Sequence, residues 1–288
     1  MTRLAILADL HGNLPALEAV EQDLAQFNVD HVIVAGDVVN GGPFQEQVAT
    51  RVVANGWAVI RGNAEFYLLD YGTPRAPTEW RDLQEYPMFA WLSRQFSDRW
   101  KTVIAAWPDS LQLRLPDAPP VRVVHGSPRY PAEGIYPTSA DEEIAEFLAG
   151  VDEEVVITGH THLPLERKSG RWCIFNPGSV GMPIDGLFSA SYLLLDGDER
   201  GWRPTFRRVP FDYNALFREI ERQGYLETCG AMGHFFVEML KTARPQDGFF
   251  RWRKLHYPDA PLSQELFTEY RANCQWWEYT NPAYRVNL

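Results

Sequence analysis

Seven side chains of metal-ligating type sit directly after short apolar runs: Asp9, His11, Asp37, Asn63, His125, His160 and His162. They include four of the chain's seven histidines. A single histidine at the end of a strand is ordinarily a satisfied loop residue. Seven ligand-type residues distributed over five such ends are not explained that way. A mixed nitrogen and oxygen donor set suits Mn, Fe or Zn better than Ca, which takes all-oxygen cages. Seven donors exceed what one tetrahedral ion with an open position uses. They suit two divalent metal ions about 3.5–4 Å apart, bridged by a carboxylate and open to water and substrate.

The elements that must position these residues can be read from the apolar runs. Leu4–Ala8, Val32–Ala35, Trp57–Ile60, Val121–Val124, Val155–Ile157 and Cys173–Phe175 are short, and each ends in a polar or glycine-bearing tag. Runs of this kind read as buried strands. Leu14–Phe27 carries Leu17, Val20, Leu24 and Phe27 at helical spacing behind Asn13 and Pro15, and Phe44–Asn55 repeats the pattern. Alternation of strand and helix gives an α/β architecture in which strand C-termini gather along one edge. Leu111–Leu115 before Val121–Val124, and Ser191–Leu195 before Thr205–Pro210, read as hairpins. The sheets are therefore expected to be mixed. A helical, aromatic insert runs from about 66 to 107, with Trp80, Tyr86, Phe89, Trp91, Phe96 and Trp100. Its Phe89, Leu92, Phe96 spacing is that of a packed helix face. A helical extension follows from 211 to 288, opening with Asp212 as a cap and Gly224 as a stop, with a second helical stretch over Leu266–Trp277.

The chain has 288 residues, 45% hydrophobic and 23% charged, with a formal net charge of -11. Such a balance disfavours bulk nucleic-acid binding, which wants a basic face, yet permits a small anionic substrate beside a cation. The three cysteines, Cys173, Cys229 and Cys274, are widely spaced and read as small buried hydrophobes. The N-terminal run meets Asp9 too soon for a signal peptide, and no stretch approaches the length of a membrane span, so a cytoplasmic protein is expected. Nothing in the sequence decides whether it forms a homo-oligomer.

The ordered blocks Asp9-x-His11, Gly36-Asp37, Gly62-Asn63, His125-Gly126 and Gly159-His160-x-His162 resemble those of the calcineurin-like metallophosphoesterase superfamily. Asp9-Leu10-His11-Gly12-Asn13 and Asn176-Pro177-Gly178-Ser179 are similar to the compact bacterial and archaeal phosphodiesterase branch. The resemblance spans roughly residues 1–210 and implies a four-layer αββα sandwich of two mixed sheets flanked by helices. It implies that Asp9, His11 and His162 hold one metal, that Asn63, His125 and His160 hold the second, and that Asp37 bridges them. Asp37, Asn63 and His125 then stand closest to the chemistry, in-line attack of a metal-bound hydroxide on phosphorus, with phosphodiesters ahead of monoesters. Many relatives carry a histidine directly after the Gly-Asn block to assist the leaving group. Here Ala64 stands in that place, followed by Glu65, for which a helix-start or surface salt-bridge role is expected. General acid assistance is typically worth about 10²–10⁴-fold, so its loss favours leaving groups that depart without a proton. The same motifs permit a non-catalytic scaffold, a dinucleoside polyphosphate hydrolase or a protein phosphatase. The complete ligand set weighs against the scaffold, and Ala64 against the other two. Asn13 is a candidate substrate contact. Arg61 and Arg129 read as ordinary surface charges, and His31, His234 and His256 fall outside the set.

Overall fold

A computed structural model describes residues 1–78 and 86–285. Ten strands form two five-stranded sheets among the described residues. In the first, β1 (Thr2–Leu7), β2 (His31–Val34) and β3 (Ala58–Val59) run parallel, and the hairpin β9 (Ala190–Asp198) and β10 (Gly201–Val209) adds antiparallel to β1. In the second, β5 (Ala118–Val124), β6 (Val155–Ile157) and β8 (Trp172–Pro177) run parallel, flanked by antiparallel β4 (Ser110–Leu115) and β7 (Pro164–Ser169).

The period-two alternation of strands explains the layering. Leu4 and Ile6 of β1 point between the sheets, where they meet Ile33, Val121, Val123, Ile157 and Phe175. Ala5 and Leu7 point the other way, onto α1 (Leu14–Leu24) and α2 (Gln45–Ala54), contributing to a core with Leu17, Val20, Val48 and Val52. The outer face of the second sheet packs Val124, Val156 and Ile174 against Ile144 and Phe147 of α6 (Asp141–Phe147). The result is the expected sandwich of two mixed sheets between helical layers.

Helix α1 begins where the sequence places it. Asn13 Oδ1 accepts from Ala16 N at 3.2 Å, capping a free backbone N–H, and a proline follows in the first turn. The helix ends at Leu24; Phe27 lies beyond it, partly buried against the same core. The insert forms α3 (Asn63–Asp70), α4 (Pro87–Arg94) and α5 (Asp98–Ala105). Phe89 and Leu92 of α4 are buried in the main core. Phe96, expected on the same helix face, lies past the end of α4 but is buried in that core too, and Trp80 lies outside the described residues.

In the extension, Asp212 caps α7 (Tyr213–Arg222) by accepting from Ala215 N at 3.0 Å, and Gly224 takes a positive φ of 58° to end it. The stretch expected as helix to Trp277 stops as α10 (Gln264–Asn273). Strand β7 and helices α6, α8 (Tyr225–Thr242) and α9 (Gly248–His256) are additional to the sequence reading. Helix α8 breaks at Gly230, with φ 57° and ψ -141°. Tyr225 and Cys229 of α8 and Phe249 of α9 share one core with α1, α2 and α4. No described helix is long and apolar enough to cross a membrane.

Candidate metal centre

Because β1, β2, β5 and β6 are parallel within their sheets, their following loops meet at one edge, and backbone bonds fasten loop to loop. Asp9 N donates to Gly36 O at 3.0 Å, His11 N to Asp37 O at 2.9 Å and Gly159 N to His125 O at 2.6 Å. Asn63 departs from the expected strand end: it is the first residue of α3. The approach is so close that Gly36 could carry no side chain. A Cβ there would lie 2.7 Å from His125 Nδ1, and its φ is 90°.

All seven candidate ligands are brought together. His11 Nε2 and His162 Nε2 are 3.0 Å apart, and His162 Nε2 is 3.3 Å from Asp9 Oδ1. On the other side, Asn63 Oδ1 accepts from His160 Nδ1 at 2.7 Å and His125 Nε2 at 3.1 Å. The carboxylate of Asp37 lies between, with Oδ1 3.3 Å from His125 Nε2 and Oδ2 3.7 Å from His11 Nε2. The adjacent histidines 160 and 162 thus serve opposite halves of one cluster. Two triads, Asp9-His11-His162 and Asp9-Asp37-His125, each offer donor atoms within 4.8 Å of one another.

The donors fit a cation on three grounds. Both oxygens of Asp9 are buried and hydrogen-bond to nothing among the described residues, an expensive state for a carboxylate without a counter-charge. Three histidines are held by carbonyls on their Nδ1 edges: His11 by Asn40 O at 3.1 Å, His125 by Ala35 O at 2.7 Å and His162 by Met182 O at 2.7 Å. A carbonyl on the Nδ1 edge orients each ring with Nε2 inward, as outer-shell partners of metal-bound histidine do. Finally, the site demands positive charge. Burial disfavours protonation of His125, yet Asp37 and Asp9 overcome it and push its pKa up to about 10. His162 is likewise raised by Asp9 against burial. Burial also opposes the charge of Asp37, but His125 and His11 hold it well below the usual carboxylate range. His160, which faces His125, is lowered to about 4 by burial and then by that neighbour's charge.

Assembling this cluster strains the backbone. Asp9, His11, Asp37, His160 and His162 all have φ between 48° and 64°, and Asn40 has 69°. Left-handed conformations cost roughly 1–2 kcal/mol per non-glycine residue, so the surrounding bonds must enforce them. The 176–182 loop supplies several. Ser179 Oγ donates to Asp9 O at 2.8 Å, Asn176 Nδ2 to Gly159 O at 2.6 Å, and Gly181 N to Asp9 O at 2.9 Å.

Glu65 is at the helix start but is fully buried, so a surface salt bridge is excluded. Its Oε2 accepts from Gly62 N at 2.6 Å and Asp37 N at 3.0 Å; its Oε1 accepts from Val38 N at 2.8 Å and Val39 N at 3.1 Å. Burial, then the charge of Asp37, raises it to about 7, against the pull of the backbone donors. Asn13 is buried too. Its Oδ1 caps α1 and its Nδ2 donates to Gly181 O at 2.7 Å, so its visible role is architectural. Arg129 pairs with Glu133 and Arg61 with Asp109. His31, His234 and His256 belong to neither metal triad.

Two tyrosines join the site that the sequence reading did not single out. Tyr67, one helical turn beyond Asn63, hydrogen-bonds the Asn63 side chain, and burial followed by Asp37 pushes its phenol up to about 12. The four-residue interval along α3 was the available signal. Tyr284, from a 3₁₀ turn at Pro282–Arg285, packs edge-on against Tyr136 at 5.5 Å, their hydroxyls 3.5 Å apart. Burial and Tyr136 raise its phenol well above the ordinary value, Asp247 adds to that, and Asp9 contributes least. No signal in the sequence pointed to this return of the extension to the centre.

A sandwich of two mixed sheets with a histidine and carboxylate cluster at one edge defines a metallophosphoesterase. The chain belongs to the calcineurin-like phosphoesterase superfamily, whose domain it matches over residues 2–200. It is 29% identical over 209 residues to the phosphodiesterase YfcE of Escherichia coli, covering 69% of this chain and 89% of that protein. The crystal structure of a metallophosphoesterase from Sphaerobacter thermophilus superposes with a TM-score of 0.66 at 26% identity, covering 84% of this chain and 99% of that one. A hypothetical protein from Pyrococcus horikoshii OT3 shares the fold at a TM-score of 0.70 and 19% identity, covering 85% and 98%.

Proposed function

We propose that the protein is a dinuclear metal-dependent hydrolase of phosphodiesters. The observation that carries this reading is the shared, orphaned carboxylate of Asp9 between two donor triads, with Asp37 presenting one oxygen to each half. Asp9, His11 and His162 would hold one ion; Asn63, His125 and His160 the other; Asp37 would bridge. Two such ions, when bound, offset the negative charge of a phosphoester and lower the pKa of water. The chain's own contribution is positional. The carbonyls of Asn40, Ala35 and Met182 lock imidazole orientation, and Glu65 fixes the backbone that bears Asp37.

In the overall reaction a water oxygen bonds to phosphorus and gives up a proton to solvent, the opposite phosphorus–oxygen ester bond breaks, and the released alkoxide takes up a proton from solvent. Ala64 is buried and supplies no proton, so esters whose alcohols leave easily are favoured. The similarity to YfcE supports diesters over monoesters. A cytoplasmic setting fits the absence of any membrane-crossing helix among the described residues. Hydrolysis of bis-p-nitrophenyl phosphate by Mn²⁺-loaded protein, compared with p-nitrophenyl phosphate, tests the reading. Faster turnover of the diester, abolished in Asp37→Asn, is expected. Turnover insensitive to chelator, or no turnover of either ester, would sink it.

A further inference from the structure

A cavity of about 280 Å³ adjoins the metal centre, with His125 in its wall. The rest of the lining is unusual for so acidic a chain: three guanidinium groups, Arg61, Arg122 and Arg129, face one small space together with Tyr130, and Asp109 is the one carboxylate among the lining residues. The formal net charge of the protein is -11, and here three arginines are gathered, each balanced by one carboxylate.

Each arginine is already oriented by a carboxylate, and each through the same edge. Arg61 uses Nε and Nη2 on Asp109, Arg122 uses Nε and Nη2 on Glu153, and Arg129 uses Nε and Nη2 on Glu133. Glu153 is almost fully buried, whereas Asp109 is 64% exposed and its charge is accordingly screened by water. A guanidinium has five N–H donors, so pairing along one edge leaves the Nη1 amine of each. Among the described residues those amines have no hydrogen-bond partner. Ring contacts hold two of the heads in place: Arg61 over Phe66 at 4.9 Å and Arg129 over Phe147 at 5.0 Å. These are pre-oriented donors of the kind that recognise phosphate.

We propose that this cavity is a subsite for a terminal phosphate, so that the preferred substrate is a phosphodiester carrying a phosphate monoester on one ester arm. The proposal rests on the phosphodiesterase reading of the neighbouring centre for its chemistry, but the subsite itself can be examined without it. The volume lies just below the roughly 300–1,000 Å³ of drug-sized ligand sites. That space takes one phosphate and its attached carbons.

Two arms test it. In the first, pyrophosphate is titrated into chelator-treated protein by calorimetry. Wild type should bind at millimolar concentration or better. The double variant Arg61→Gln/Arg129→Gln should bind at least about tenfold more weakly, the fold-change for losing even one of its two charge-assisted hydrogen bonds. Arg203→Gln, on β10 and paired with Asp198, is the control that should not shift. Arg122 is replaced by Lys, because Gln would strand the buried Glu153. In the second arm, kcat/KM is compared for a thymidine dinucleotide with and without its 5′-phosphate, and for a glycerol diester with and without a terminal phosphate. A preference of about tenfold for the phosphorylated partner in either pair, lost in the double variant, is expected, and the pair that shows it identifies the source of the phosphate. No pyrophosphate binding, or equal kcat/KM within both pairs, overturns the subsite. Failure of every diester to be hydrolysed while pyrophosphate still binds overturns the phosphodiesterase reading and leaves the anion site standing.

Discussion

Glu65 offers the sharpest test of how the centre is held. Replacing it with alanine strands four buried backbone donors, the N–H groups of Asp37, Val38, Val39 and Gly62. An unsatisfied buried donor costs about 1–3 kcal/mol, which puts the gross penalty near 8 kcal/mol. One term opposes this. The elevation of Glu65 to about 7 means its ionised form is disfavoured in the fold by roughly 3 kcal/mol relative to water, and that penalty disappears with the carboxylate. The net expectation for Glu65→Ala is a loss of about 5 kcal/mol, comparable to the whole stability of many domains. Glu65→Gln keeps one acceptor and the packing, so its loss should be nearer 2 kcal/mol. The pH dependence supplies a second signature. A carboxyl whose folded pKa is raised contributes stability that is complete below its unfolded value and lost as pH rises through the folded one. Wild-type stability should therefore contain a decline between about 4.5 and about 7 that Glu65→Gln lacks. Urea unfolding of chelator-treated protein across that range measures both effects. A Glu65→Ala variant within about 1 kcal/mol of wild type would refute the claim that this one side chain organises the loop bearing Asp37.

Further outcomes follow from the same geometry. Gly62→Ala places a Cβ 2.7 Å from Asp37 N, so divalent-ion loading measured by elemental analysis should be lost, with a destabilisation of about 2–4 kcal/mol. Without metal, His125 at about 10 is protonated at neutral pH, so Mn²⁺ binding should release at least about one proton, read from calorimetry in buffers of different ionisation enthalpy. The sign in the metal-free protein is that His125 stabilises the fold below its ordinary 6.5 and loses that contribution as pH climbs through about 10. Asp23 accepts from Tyr192 Oη at 2.6 Å and from Arg207 Nη2 at 2.8 Å, and Arg207 followed by Tyr192 hold it below the usual carboxylate range despite burial. Asp23→Ala should cost about 2 kcal/mol at neutral pH, and the difference should shrink on acidification as wild-type Asp23 protonates.

How much of this was legible depended on whether a feature is local. Strand ends at Asp9, Asp37, His125 and His160 could be placed because the apolar runs before them are short and abruptly terminated. The hairpins were visible in the alternation of Leu111, Leu113 and Leu115 and in the turn before Thr205. Features that need the far side of the fold were not. That Asp9 would be left-handed follows from bonds made to its carbonyl by Ser179 and Gly181, about 170 residues away in sequence. Glu65 looked like a surface charge because four partners from the 37–39 and 62 segments leave no pattern around it. Asn13 was read toward a substrate, whereas Gly181 O claims its amide. Tyr284 reaches Tyr136 across 148 positions, a contact no local rule anticipates.

The central claim is that seven residues from separate loops form one cage for two cations. Crystals of Mn²⁺-loaded protein, measured on the low-energy side and at the peak of the manganese absorption edge, test it directly. The account predicts two anomalous peaks about 3.5–4 Å apart, both in contact with Asp37. A single peak, or none within reach of Asp9 and Asp37, would contradict it.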